Sequence, residues 1–158
     1  MYTLCIPNRI PLSQNRRSLP SIVPGQTEMD GYRTFLQAEF NRKYPGHVIE
    51  LNLLYGKVFW IHRTGDAYFI LRDADNFSKP LWDALEECVY DNDRQIRFRQ
   101  AAKLQHGADS LTVNVEHMDD TDYEELLNFH LDATNTNQNW LYIEIGDFKH
   151  TQVKFGER

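Results

Sequence analysis

Residues 73–99 read DADNFSKPLWDALEECVYDNDRQIRFR, and this stretch decides the fold. Phe77, Leu81, Ala84, Leu85 and Cys88 fall on one stripe at helical spacing, which predicts a helix from Asp75 to Val89. Pro80 fits such a helix only near its first turn. From Arg94 to Lys103 the period changes to two. Ile96 and Phe98 take one parity, and Arg97, Arg99 and Lys103 take the other. That alternation predicts a half-buried strand with a basic outer face. A helix feeding a strand in this way is a unit of an α/β domain.

The flanking sequence extends the pattern. Tyr2 to Ile6 reads as a strand that runs into Pro7–Gly25, a loop with four prolines and the basic residues Arg9, Arg16 and Arg17. Thr27 and Asp30 form a capping box, and Tyr32, Phe35, Leu36 and Phe40 follow at helical spacing, so a helix is predicted over 28–43. Two or three strands are expected between His47 and Leu71, and another over Ser110–His117. Thr121–Asp132 reads as an acidic helix, with a last strand near Trp140–Ile145. The expected architecture is one α/β (α+β) domain: a mixed sheet packed against the two main helices. Residues 1–118 would form its body, and 119–158 an acidic helix–strand extension packed on it.

With 158 residues, 41% of them hydrophobic and 13% aromatic, the chain can bury a core without staples. No run approaches the roughly 18 apolar residues that span a bilayer. The start has no charged segment followed by an apolar one, so export is not expected. Cys5 and Cys88, the two cysteines, suit a reducing cytoplasm. The net charge is −6, but residues 1–118 hold 14 basic and 14 acidic residues, whereas 119–158 hold 3 and 9. The body is thus compatible with a polyanion once some of its acids are committed to a cation.

Asp73 and Asp75 are two apart before a helix, so both carboxylates can face one point. Adjacent carboxylates repel, and a divalent cation relieves that repulsion. Oxygen-only ligands suit Mg²⁺ better than zinc. Asp75, Lys79 and Asp83 line up at i, i+4 and i+8, and a lysine beside such a site can steady a water or phosphate oxygen. A plain N-cap and solvated ion pairs account for the same residues without any chemistry. No serine or cysteine sits in a nucleophile motif, and His62, His106 and His130 share no ligand spacing.

The stretch Asp73-Ala-Asp75-Asn76-Phe-Ser-Lys79-Pro-Leu-Trp-Asp83-Ala-Leu85, then Val89-Tyr90-Asp91-Asn92-Asp93-Arg-Gln95-Ile96, resembles the signature of RusA-type Holliday-junction resolvases. Ile10-Pro11-Leu-Ser13-Gln-Asn15-Arg16 is similar to the same family's N-terminal segment. The resemblance implies a homodimeric, Mg²⁺-dependent endonuclease (Mn²⁺ being an alternative ion) that nicks four-way DNA junctions in pairs. It implies metal-binding roles for Asp73, Asp75 and Asp93 and a catalytic role for Lys79. Arg16, Arg17, Arg72, Arg97, Arg99 and Lys103 are the residues expected on phosphates. Asn92 departs from the family pattern, standing where an aspartate is usual.

Three expectations follow. A helix over 76–88 would be about 20 Å long. The five residues from its end to Asp93 reach about 16–18 Å, so a partner chain could supply Asp93. The acidic residues after 118 would repel DNA at low salt. A non-catalytic fold that binds a partner through the acidic helix is the alternative to a nuclease.

Overall fold

The computed structural model describes residues 1–21, 23–63, 73–109, 115–116, 118–131 and 137–150. Four strands, β1 (Tyr2–Pro7), β2 (Leu54–His62), β3 (Ile96–Gln105) and β4 (Asn139–Asp147), form one mixed sheet in the order β1-β4-β2-β3. β4 runs antiparallel to both β1 and β2, while β2 and β3 are parallel. The chain beyond 118 therefore supplies a central strand, and all of β4 except Asp147 is buried. The helices are α1 (Glu28–Lys43), α2 (Ala74–Leu85) and α3 (Asp120–Leu131). No described helix is long and apolar enough to cross a membrane.

The alternation of β4 divides the molecule into layers. Leu141, Ile143 and Ile145 point to the face covered by α1 and α2, where Leu36, Phe40, Phe77, Leu81 and Trp82 complete the larger core. Trp140 and Tyr142 point the other way, toward Leu126 and Phe129 of α3. This is the mixed α/β domain that the sequence predicts.

The capping box of α1 is present: Thr27 Oγ1 accepts from Asp30 N at 3.2 Å, and Thr27 N donates to Asp30 Oδ2 at 2.8 Å. Its end is marked by Gly46, whose φ of +76° favours glycine. α2 departs from expectation by stopping at Leu85 rather than Val89. Glu87 adopts φ +63°, its N–H bonds Tyr90 O, and Val89 and Tyr90 turn into the core. Cys88 thus belongs to a turn. Pro80 lies in the second helical turn, not the first, and it is buried. β3 begins two residues later than expected because Asp93–Gln95 forms a 3₁₀ turn. The region 47–63 holds one strand, β2, preceded by an irregular segment. The rest of the strand-rich reading, 64–71, lies outside the described residues, as does most of the strand expected over 110–117.

Candidate metal and nucleic-acid groove

α2 and β3 meet on the α1/α2 face of the sheet, and the close approach has a specific cause. Gly56 of β2, the register partner of Arg99, leaves room for the Trp82 indole; a Cβ there would sit 2.8 Å from the ring. Beside this contact runs an open groove of about 530 Å³, lined among others by Gln14, Asp75, Lys79, Trp82 and Arg99. Asp75 and Lys79 come from successive turns of α2, and Arg99 comes from β3.

Asp93 joins the groove through Arg99. The guanidinium meets Asp93 Oδ2 at 3.1 Å and donates to the Asp93 backbone carbonyl at 2.6 Å. The turn that presents Asp93 is built by Asn92, whose Oδ1 accepts from Arg94 N and whose N–H donates to Gln95 Oε1, both at 2.9 Å. Asn92 thus has a defined structural task at the position where it departs from the family pattern. Gln95 Nε2 in turn bonds the carbonyls of Glu50 and Asn52. The Asp93 turn is consequently fixed to the segment that leads into β2.

Asp73 is the N-cap residue of α2, yet its side chain makes no capping hydrogen bond. Its exposed carboxylate is left available to solvent or a cation. Among the described residues no three His, Cys, Asp or Glu side chains converge as a metal site. Asp73 and Asp75 nevertheless offer the hard, exposed oxygens that Mg²⁺ takes in ones and twos, with water completing its shell. The donor chemistry fits the ion.

The basic residues divide into three groups. Arg99 and Lys103 share a face of β3, and Arg97 is the extra residue where the β2–β3 register shifts between Leu54 and Tyr55. Arg16 and Arg17 lie in and beside a 3₁₀ turn at residues 14–16, and each is paired within the chain: Arg16 with Glu28 at 2.5 Å, Arg17 with Asp83 at 2.7 Å. Sequence reading gives this region as a proline-rich loop, and ion pairs pin it to α1 and α2. Arg72 lies outside the described residues. The Arg17–Asp83 pair is what sequence reasoning missed. The i, i+4 spacing of Lys79 and Asp83 hinted at a partner for Asp83, but nothing local marked Arg17 as the second.

The acidic helix sits elsewhere. Lys43, at the end of α1, pairs with Asp119 at 2.8 Å and with buried Asp122, and Thr3 of β1 also donates to Asp122. Burial works against the charge on Lys43, but the two carboxylates hold its pKa above the ordinary lysine value, while Lys43 draws Asp119 below the usual carboxylate range. These acids dock α3 on the β1 edge, three strands from the β3 side of the groove. The pairing with Lys43 offsets the charge of Asp119 and Asp122 within the chain. Burial raises the thiols of Cys5 and Cys88, so neither is an activated nucleophile. His106 and His130 pack ring to ring at 4.8 Å, on the α3 side.

The family model of the endodeoxyribonuclease RusA matches residues 61–116. The match spans the end of β2, α2, the Asp93 turn and β3, which carry every groove residue named above except Gln14. The resemblance read from residues 73–96 is thereby borne out. No curated protein matches the chain.

Proposed function

We propose that this chain, RusA-like over residues 61–116, is a metal-dependent endodeoxyribonuclease that resolves four-way DNA junctions by paired symmetric nicks, acting as a homodimer in the cytoplasm. The observation that carries the reading is the groove itself: Asp75, Lys79 and Arg99 line one wall-to-wall space, and Arg99 ties Asp93 to it. Asp73 and Asp75 would hold Mg²⁺, with Asp93 as the third acid, and Mn²⁺ suits the same oxygen donors. When bound, the ion supplies a water of lowered pKa and offsets charge on the scissile phosphate.

The side chains supply the rest. Lys79, half exposed at the groove, orients the phosphate or the attacking water. Arg99 pairs with Asp93, and its guanidinium fork also suits a phosphate oxygen of bound DNA. Arg97 and Lys103 extend the positive surface along β3, and Arg16 and Arg17 add cationic groups on the N-terminal loop, beside α1 and α2. Such contacts position the backbone and do not read bases, so selectivity follows junction shape. A cleavage assay on a synthetic four-way junction, with Mg²⁺, with Mn²⁺ and with chelator, tests the reading. Paired nicks that need metal are expected. Binding without cutting under either ion would overturn the enzyme and leave a junction-binding module.

A further inference from the structure

Asp83 enters the sequence reading as the third member of a helical charge series and as part of the family-like motif, and its carboxylate, just outside the groove lining, meets two cations. The side chain is 13% exposed, and its two oxygens serve two cations from different elements. Oδ2 meets Arg17 Nη2 of the N-terminal loop at 2.7 Å, and Oδ1 faces Lys79 Nζ one helical turn away at 3.7 Å. The two contacts differ in kind. The Arg17 pair is a close, largely shielded hydrogen-bonded bridge, whereas the Lys79 contact is longer than a hydrogen bond and its ammonium is half exposed. The first can act as a fixed anchor, and the second can yield to an incoming phosphate.

The anchor reaches further along the loop. The Arg17 carbonyl accepts from Met29 N at 3.3 Å, and the Leu19 carbonyl accepts from Glu28 N at 2.8 Å, so the loop is stitched to the start of α1 just beyond Arg17. Three residues before Arg17, Gln14 lines the groove. Asp83 itself does not line it. We propose that Asp83 is a positioning residue that restrains the Lys79 ammonium at the groove and, through Arg17, holds the N-terminal loop as one of its walls. The proposal rests on the nuclease reading for its first half only; the loop half concerns structure alone. Lysine has a long flexible stem with many rotamers, so a neighbouring anion narrows where its charge resides before substrate binds.

The test uses the full chain with Asp83→Asn, Asp83→Glu and Arg17→Gln, under single-turnover and steady-state cleavage of a four-way junction, with limited trypsin digestion in parallel. Asp83→Asn is expected to lower kcat by about tenfold to a hundredfold with KM changed by less than about threefold, because misplacing a catalytic group costs turnover rather than binding. Asp83→Glu should recover part of that loss. Asp83→Asn and Arg17→Gln should both speed tryptic cleavage within residues 8–25. Wild-type kcat in Asp83→Asn, or a loss confined to KM, overturns the Lys79 half. Unchanged loop protection in both variants overturns the Arg17 half. Equal losses in Asn and Glu variants that track a fall in Tm reduce Asp83 to a structural residue and overturn the proposal. Absence of cutting by the wild-type chain would overturn the nuclease reading and, with it, the Lys79 half, while the trypsin result still decides the loop.

Discussion

At the scale of single residues, Asp75 and Glu144 show what a carboxylate does when its surroundings differ. Asp75 is exposed at the groove, so Asp75→Asn removes the proposed metal ligand and a repulsive charge without disturbing packing. Cleavage is expected to vanish while junction affinity stays equal or rises; cutting at the wild-type rate would remove Asp75 from the site. Glu144 is buried in β4 and accepts from Tyr55 and Tyr142 at 2.7 Å and from Lys57 at 2.8 Å. Burial alone would raise its pKa, but these three donors outweigh it and hold the carboxyl below its ordinary value. A carboxylate depressed in the folded state stabilises fully above its unfolded pKa and loses that contribution as pH falls through the folded value. Glu144→Gln should therefore cost about 1.5–3 kcal/mol near pH 7, the range for hydrogen bonds to a charged group. In denaturant titrations the gap from wild type should narrow below about pH 4.5. A constant gap down to pH 3 would contradict this account.

At the scale of elements, the groove depends on how closely α2 can approach β2. Gly56→Ala would drive a Cβ into the Trp82 ring at 2.8 Å and push α2, with Asp75 and Lys79, away from Arg99. Overpacking of this kind costs about 1–3 kcal/mol, and cleavage should fall more than stability alone explains. Thermal melts paired with cleavage rates at a temperature where the variant is fully folded check both claims. α1 was legible to the residue because its signals are local: Thr27 and Asp30 at the start, an apolar stripe through it, Pro45-Gly46 after it. The end of α2 was not, because Cys88 continues the helical stripe while the buried turn formed by Glu87, Val89 and Tyr90 overrides it. Candidate acids and Lys79 were readable as a motif, since their spacing lies within one segment. The contact of Gly56 with Trp82, the place of Gln14 on the groove and the pairing of Arg17 with Asp83 were not, because each joins segments distant in sequence.

At the scale of the whole molecule, two expectations from sequence change direction. The reach from α2 to Asp93 is easier than a helix ending near Val89 would allow. α2 stops at Leu85, and Arg99 touches Asp93 while lining the groove of its own chain. Mixing Asp75→Asn and Asp93→Asn chains is therefore expected to restore no activity; recovery would show that subunits share sites. The acidic extension changes role as well. Neutralising Asp119 and Asp122 would leave Lys43 without its carboxylates and loosen α3 from β1. Three strand spacings of about 4.8 Å separate the β1 and β3 edges, about 14 Å. That exceeds the Debye length of about 8–10 Å at moderate salt, so these charges act on groove-bound phosphates only weakly. Asn replacing both Asp119 and Asp122 is accordingly expected to lower Tm while changing junction affinity by less than about twofold between 50 and 200 mM salt, with the slope of log K against log salt unaltered. Tighter binding at low salt that converges with wild type at high salt would instead show that the extension repels DNA. In that event its charges would have to reach the groove despite their pairing with Lys43.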